Sequence, residues 1–340
     1  MNLPRFGAPR AAAVAVLTAA ALLVTGCSSD DGSSGDGSSA AKAASGPWTF
    51  KDDLGKTVKL DHRPRRIAGL NDVLVSFMNY GVEPVASFGY SSITQDKRFA
   101  GLDTKGVTPV GTTYGAINLE KLAAAKPDLI VTNVYPTDAK GTIDKTQPSY
   151  GFKNLEQQKQ VEQIAPVVSL YMGGDGAKVI ARTTALATAV GAKKAVVAAA
   201  KKKFDSAKQA LAEAGGNTEA KVTVLYADAD GVSVARPADD PALRLYRDIG
   251  VPMTVPKPKG YYWGNYSWEN AGKIGGDLLL LSQDGYQTAD LKKQPTFAEA
   301  PALTSGQVHT WESSGMDYVS QAAYMKRLAG WLTKAKAVTK

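Results

Sequence analysis

The sequence predicts an α/β protein of two lobes joined by a single long α-helix, with a ligand cleft between the lobes. Three observations predict it. Short apolar runs alternate with helical patterns through residues 66–170 and again through 222–335, which marks an α/β sheet with parallel strand pairs. Between the two series lie proline-free, Ala/Lys-rich runs at 177–190 and 193–214, broken at Gly191 and ended at Gly215-Gly216. At ~1.5 Å per residue the second run is ~33 Å long and is the natural connector. The halves also repeat one pattern: 117–131 reads INLEKLAAAKPDLIV and 266–281 reads YSWENAGKIGGDLLLL. Each has a cap residue (Asn118, Ser267), a glutamate two positions on, and an Asp-Leu pair opening an apolar strand.

The elements follow in order. Residues 48–60 read as a hairpin turning near Asp53-Leu54-Gly55-Lys56, and 66–69 as a short strand. Asn71 is placed to cap a helix whose apolar face is Val73, Leu74, Phe77 and Met78, with Gly81 ending it. A strand at 84–87, a short helix at 119–125 stopped by Pro127, a strand at 129–132, a helix at 153–165 and a strand at 167–170 complete the first half. Gly173-Gly174-Asp175-Gly176 lacks the lysine and spacing of a phosphate loop and reads as a turn and helix cap. After the connector come strands at 222–227 and 232–235, helices at 242–249 and 268–274, a strand at 278–281 and a closing helix within 318–335. Met78-Asn79-Tyr80-Gly81-Val82 is echoed by Arg247-Asp248-Ile249-Gly250-Val251.

Composition narrows the classes. With 340 residues, 44% hydrophobic content, 33 Gly and 17 Pro, the chain is neither disordered, nor a coiled coil, nor a small stapled scaffold. The net charge of +8 is spread without a dense basic block, which argues against nucleic acid as a partner. Cys27 is the single cysteine, so no intramolecular disulfide forms, and His62 and His309 are too few for a Cys/His metal cage.

The N-terminus reads as an address. Residues 11–24 are apolar except for Thr18 and follow Arg5 and Arg10. A spanning helix needs ~20 residues, so this shorter run fits a signal-peptide core. Val24-Thr25-Gly26-Cys27 resembles a bacterial lipobox. The resemblance implies that Cys27 is lipidated and holds the protein on the extracytoplasmic face of the cell membrane, each buried methylene contributing ~0.8 kcal/mol. Residues 28–46 are Ser/Gly/Asp-rich and read as a flexible tether of ~25 Å root-mean-square span. The expected organisation is a signal peptide at 1–26, lipidated Cys and linker at 27–46, a first lobe at 47–192, an interlobe helix at 193–216 and a second lobe at 217–340.

Several local patterns occur in a fixed order: Arg66-Ile67-Ala68-Gly69-Leu70, Tyr80-Gly81-Val82-Glu83-Pro84-Val85, Val110-Gly111, Asn118-Leu119-Glu120-Lys121-Leu122, Lys126-Pro127-Asp128-Leu129-Ile130 and Ile164-Ala165-Pro166-Val167. With the anchor, the tether and the connecting helix, roughly residues 48–336 resemble the substrate-binding proteins of bacterial ABC importers for iron-siderophores, haem and vitamin B12. The resemblance implies two Rossmann-like lobes on a helical backbone, a monomer, little closure around ligand, and delivery to a membrane ABC permease. Tyr261-Tyr262-Trp263-Gly264, before Ser267-Trp268-Glu269, is similar to a segment of the ferric hydroxamate siderophore binders, and Trp311 falls where that branch has a second cleft tryptophan. That branch can carry an arginine after the Val-Gly pair; this chain has Thr112-Thr113-Tyr114, which leaves the siderophore open.

The expected ligand-binding residues are Trp263, Trp311, Tyr262 and Tyr114, then Tyr90, Tyr135, Tyr266 and Arg236. The aromatics follow predicted strands or lie at the cleft edge. Residues 261–268 hold five aromatics flanked by Gly260 and Gly264 without strand or helix period, which reads as an exposed ligand-facing loop. Aromatic faces suit a bulky amphipathic chelate. Arg236 is either a donor to chelate oxygens or a solvated loop arginine. Glu120 and Glu269 sit in first helical turns, where a carboxylate complements the helix dipole by ~0.3–1 kcal/mol; the resemblance gives them arginines of the permease as partners. No protein metal ligand or cofactor is expected, because a siderophore itself fills the coordination sphere of its iron(III). A haem or cobalamin receptor is the alternative within the family, with His309 or Tyr114 as axial candidates for haem. A membrane-tethered envelope hydrolase is the rival class, but the chain has no Gly-x-Ser-x-Gly, Walker loop or His-Glu-x-x-His, so it reads as a non-enzyme.

Overall fold

A computed structural model describes residues 46–339. The expected signal peptide at 1–26, Cys27 and the tether up to residue 45 lie outside the described residues. The described chain opens with an antiparallel hairpin of β1 (Trp48–Lys51) and β2 (Thr57–Leu60). Its turn closes on Asp52 Oδ1, which accepts from Leu54 N at 3.0 Å and Lys56 N at 2.7 Å.

The first sheet has the order β5-β4-β3-β6-β7, all parallel. Its strands are β3 (Ile67–Leu70), β4 (Pro84–Phe88), β5 (Thr108–Gly111), β6 (Leu129–Val134) and β7 (Val167–Tyr171). Every residue of β3 and β6 is buried. That is why they read as unbroken apolar runs, as central parallel strands with both faces covered do. The helices of this half are α1 (Asn71–Asn79), α2 (Leu119–Ala124), α3 (Leu155–Ile164) and α4 (Gly176–Val190). Asn118 caps α2 through Lys121 N at 2.8 Å, and Asp175 caps α4 through Ala177 N at 2.8 Å. Asn71 does not cap α1: it is buried, and its Nδ2 donates instead to Ser91 O at 3.1 Å.

α5 (Lys194–Gly216) connects the halves and runs two residues past the expected stop at Ala214. The second sheet has the order β10-β9-β8-β11-β12, built from β8 (Val222–Asp228), β9 (Gly231–Ala235), β10 (Trp263–Tyr266), β11 (Leu278–Ser282) and β12 (Val308–Trp311). It is mixed: β8, β11 and β12 are parallel, while β9 and β10 are antiparallel additions. Its helices are α6 (Pro241–Asp248), α7 (Thr288–Leu291), α8 (Pro301–Thr304) and α9 (Tyr318–Leu332). Trp268–Lys273, expected as an α-helix, is a 3-10 helix, and Ser267 does not cap it with its side chain. β5 and β12 escaped the sequence reading because they are edge strands poor in aliphatics, TPVG and VHTW; an edge tolerates Pro109.

The internal repeat is real at the atomic level. After α1, Gly81 N donates to Met78 O at 2.9 Å and Val82 N to Phe77 O at 3.0 Å; after α6, Gly250 N donates to Arg247 O at 2.9 Å and Val251 N to Tyr246 O at 3.1 Å. Gly81 and Gly250 take positive φ of 78° and 102°, a helix stop that favours glycine. Three residues on, Pro84 pairs with Ile67 and Met253 bridges Val222, the first residues of β3 and β8. Asp128 accepts from Arg65 N at 2.9 Å and Arg66 N at 3.0 Å, and Asp277 from Lys221 N at 2.8 Å. Each aspartate opens its strand while tying down the start of the neighbouring one.

Two seams join the halves beside α5. At one, the buried Asp317 caps α9 through Val319 N at 2.8 Å and Ser320 N at 2.9 Å and also accepts Asn79 Nδ2 of α1 at 3.2 Å. Tyr318 N donates to the Tyr80 hydroxyl at 2.9 Å. At the other, Gly176 of α4 lies so close to α6 that a Cβ there would sit 2.1 Å from Pro241 O, and Ile180 of α4 joins the core of the second half.

Asp277 gives the fold a pH-dependent contribution. Burial pushes its carboxyl up, but donors from Lys221, Val338 and Thr339 outweigh that and hold it below its ordinary value. A depressed carboxylate contributes stability above its unfolded pKa of about 3.9 and loses it as pH falls through the folded value. Asp277→Ala is expected to cost about 2–4 kcal/mol at neutral pH, with stranded donors as the cause. The gap from the parent protein, measured by urea unfolding, should narrow below pH of about 4. A gap that is constant with pH would contradict this.

Candidate functional site

The carboxyl ends of both sheets face a cleft between the halves, the usual ligand position in α/β lobes. On the first side the cleft wall is made of four tyrosines. Tyr90 follows β4, Tyr114 follows β5, Tyr135 follows β6 directly, and Tyr150 precedes α3 with its N donating to Asn133 O at 2.8 Å. The Tyr90 and Tyr114 rings stack at 5.2 Å, Tyr114 meets Tyr150 edge-on at 5.3 Å, and Tyr135 meets Tyr150 at 4.9 Å. Tyr90, Tyr114 and Tyr135 remain 58%, 41% and 37% exposed, so the wall is packed yet open to a ligand. The Tyr90 and Tyr150 hydroxyls hydrogen-bond each other. Burial pushes both phenols up, so they stay protonated at neutral pH. Three of these tyrosines are expected from the sequence. Tyr150 is not: it stands alone in a polar loop, and only the return of the chain to β6 brings it to the wall.

Beneath the wall lies a cavity of about 90 Å³ shared by both halves. Asp72, Arg98, Asn133 and Tyr135 line it from the first; Asp240, Tyr262 and Trp311 line it from the second. Arg98 is engaged on both sides, with Nη1 2.6 Å from Asp72 and Nη2 2.6 Å from Asp96. Asp240 caps α6 through Leu243 N at 2.8 Å and accepts the Tyr262 hydroxyl at 2.5 Å. Burial pushes the Asp240 carboxyl up, against those hydrogen bonds. Tyr262 holds a positive φ of 64°, strained for a tyrosine. It is pinned by Tyr262 N to Asp239 at 3.1 Å and by Arg236 N to Tyr262 O at 2.8 Å. None of Asp72, Arg98, Asn133 and Asp240 carries a local sequence signal; they converge only through the fold.

The other expected site residues divide. Trp311 lines the cavity and meets Tyr324 edge-on at 5.0 Å. Trp263 is half-buried on β10, 5.2 Å from the Tyr262 ring. The segment 261–268 is therefore not one ligand-facing loop: its centre is an edge strand. Tyr266 is the correction that follows. Strand alternation turns it to the face opposite Trp263, where it is 7% exposed within the core and its hydroxyl accepts Lys257 N at 3.0 Å. Arg236 donates through Nη2 to Pro258 O and braces the loop before β10. His309 stacks flat on Trp331 at 4.4 Å and does not line the cavity, and burial lowers its pKa. Glu120 and Glu269 are both exposed at the strand carboxyl ends of their sheets. The Ser267 hydroxyl holds the Glu269 carboxyl below its ordinary range. Among the described residues, no three His, Cys, Asp or Glu side chains converge to hold a metal.

Known structures share this architecture. DesE, a ferric-siderophore receptor protein from Streptomyces coelicolor, superposes with a TM-score of 0.76 at 28% identity, covering 86% of this chain and 100% of that one. The petrobactin-binding protein YclQ from Bacillus subtilis superposes with a TM-score of 0.65 at 18% identity, covering 84% and 98%. The siderophore periplasmic binding protein from the fuscachelin gene cluster of Thermobifida fusca does so with 0.60 at 20%, covering 80% and 97%. The last two speak for the fold alone. Comparison with curated protein sequences finds no match. Residues 81–314 match the family described as periplasmic binding protein. With well over half of its length matched and this two-sheet, one-helix architecture, the chain belongs to the periplasmic binding protein family.

Proposed function

We propose that this protein is the membrane-anchored receptor of an ABC importer. It captures a ferric siderophore of hydroxamate type on the extracytoplasmic face, is held there by lipid on Cys27, and hands the chelate to a permease without chemistry on it. The observation that carries the ligand reading is the tyrosine wall over a cleft in which Arg98, the one cation among the described cavity-lining residues, is already engaged by Asp72 and Asp96. An anionic catecholate or carboxylate chelate would meet this acidic floor unfavourably; a neutral or cationic trihydroxamate would not. The likeness to DesE, named a ferric-siderophore receptor protein, supports the same reading. For the haem alternative, His309 is taken up by Trp331, which leaves Tyr114 on the wall as the axial candidate.

Intrinsic tryptophan fluorescence, titrated with ferrioxamine, ferrichrome, a ferric catecholate, haem and cobalamin, tests the ligand. Quenching by a hydroxamate at micromolar concentration is expected, and its absence would sink the branch assignment. Tyr90→Ala with Tyr114→Ala should weaken hydroxamate binding by about tenfold or more, because exposed aromatic faces carry such contacts. The unfolding midpoint should scarcely move, as both side chains are exposed. A large stability loss would show that the wall is core.

Glu120 and Glu269 are proposed to meet the permease. Glu120→Lys with Glu269→Lys should abolish uptake in cells and leave chelate affinity of the purified protein unchanged. Loss of that affinity in the double variant would contradict the docking role.

A further inference from the structure

The geometry points to an alkylammonium subsite at the floor of the cleft, in which the cavity beneath the tyrosine wall takes the protonated amine ending one arm of the bound chelate. The subsite rests on the reading of this cleft as a chelate receptor. Size is the first argument. A pocket for a whole drug-sized ligand has ~300–1,000 Å³, whereas this cavity has about 90 Å³. On that measure one water needs ~10–15 Å³, so the cavity has room for an ammonium and a short stretch of its stem.

The lining is the second argument. Asn133 is 1% exposed, lines the cavity, and its Oδ1 has no partner. Asp72 Oδ2 receives no donor among the described residues, since Arg98 Nη1 takes Oδ1. Asp240 lines the cavity from the second half; its Oδ1 already accepts Leu243 N and its Oδ2 the Tyr262 hydroxyl, leaving each oxygen one further lone pair. An ammonium carries three donors and no acceptor, and the lining offers it Asn133 Oδ1, Asp72 Oδ2 and the Asp240 carboxyl. A hydroxyl would satisfy one of them; a carboxylate would satisfy none. The charge balance agrees: Arg98, the one cation among the described lining residues, is already paired with Asp72 and Asp96, so no positive charge is left to repel a cation. Tyr135, Tyr262 and Trp311 supply aromatic walls, which attract a desolvated cation through the ring faces. Tyr135 belongs both to the cavity and to the wall, 4.9 Å from Tyr150, so an arm entering the cavity leaves its chelate against the tyrosines.

Two arms of one experiment test this. In the first, n-pentylammonium and n-pentanol are compared by saturation-transfer NMR on the parent protein and on Asp240→Asn. Asparagine can still cap α6 through Oδ1, while its Nδ2 donates to the Tyr262 oxygen where Asp240 Oδ2 had accepted; a urea midpoint near that of the parent would verify the fold. Saturation transfer to pentylammonium but not pentanol, diminished in the variant, is expected; equal transfer to both would overturn the subsite. In the second, ferrioxamine B, a linear trihydroxamate with a free amine, is compared with its N-acetyl derivative by fluorescence titration. Acetylation should weaken binding at least about tenfold, as removal of one partner of a desolvated charge pair does. Asp240→Asn should narrow that gap. Equal affinity of the two chelates, or a gap undiminished in Asp240→Asn, would overturn the proposal. If neither chelate binds, the hydroxamate reading falls, and the pentylammonium arm alone decides the subsite.

Discussion

The cleft depends on Asp317. This carboxylate is fully buried, and burial pushes its pKa up. Such a group is tolerated only where donors surround it. Here they come from two sources: the first turn of α9 and Asn79 of α1. A helix cap thereby becomes a clamp between the halves. Tyr80, beside it, accepts Tyr318 N and packs 6.4 Å from the Tyr318 ring, and Phe204 of α5 packs 5.2 Å from the same ring. The connector α5, the closing helix α9 and α1 therefore share one buried junction. With α4 pressed on α6 at Gly176, the halves are held on separate seams. Opening the cleft widely would strand a carboxylate and break close packing, which favours a small closure and a site formed before the ligand arrives.

The repeat sets up the same ledge twice, and the function lies where the halves differ. Both halves stop a helix on a positive-φ glycine and anchor a strand with an aspartate. In the first half Tyr90, Tyr114 and Tyr135 then follow β4, β5 and β6. In the second, the β9–β10 hairpin is added at the sheet edge, and the loop before β10 carries Tyr262 over Asp240. One half thus offers flat neutral rings and the other a charged, strained corner. A symmetric cleft would lack this polarity and could not orient a ligand with two unlike ends.

The sequence shows the fold well and the site in part, for physical reasons. Central strands such as Leu129–Val134 are buried on both sides, and apolar runs report that directly. Asn118 and Asp175 act through backbone groups three residues away or nearer, so their roles are local and legible. Asn71 looks the same in sequence, but its side chain is captured by Ser91, twenty residues on. Tyr266 and Trp263 belong to one aromatic cluster, and only pairing with β9 reveals that they face opposite ways. Tyr90, Tyr114 and Tyr135 were visible because each follows a strand. The cavity floor was not, since Asp72 and Asp240 lie far apart in sequence and line one cavity from opposite halves.

The protonation of Tyr90 and Tyr150 in the tyrosine wall bears on how a receptor can hold a ferric chelate and still release it. A phenolate is a hard oxygen ligand and would compete for iron(III) with the chelator. A protonated phenol offers a ring face and a hydroxyl, which recognise the outside of the chelate and leave its coordination intact. Burial holds Tyr90 and Tyr150 in the protonated form, and their hydroxyls hydrogen-bond each other. In the proposed complex the acidic floor meets the end of an arm rather than the metal centre. For the proposed ligand, metal binding and protein binding are then separate tasks. The siderophore keeps the iron, and the protein reads shape on the wall and charge on the floor.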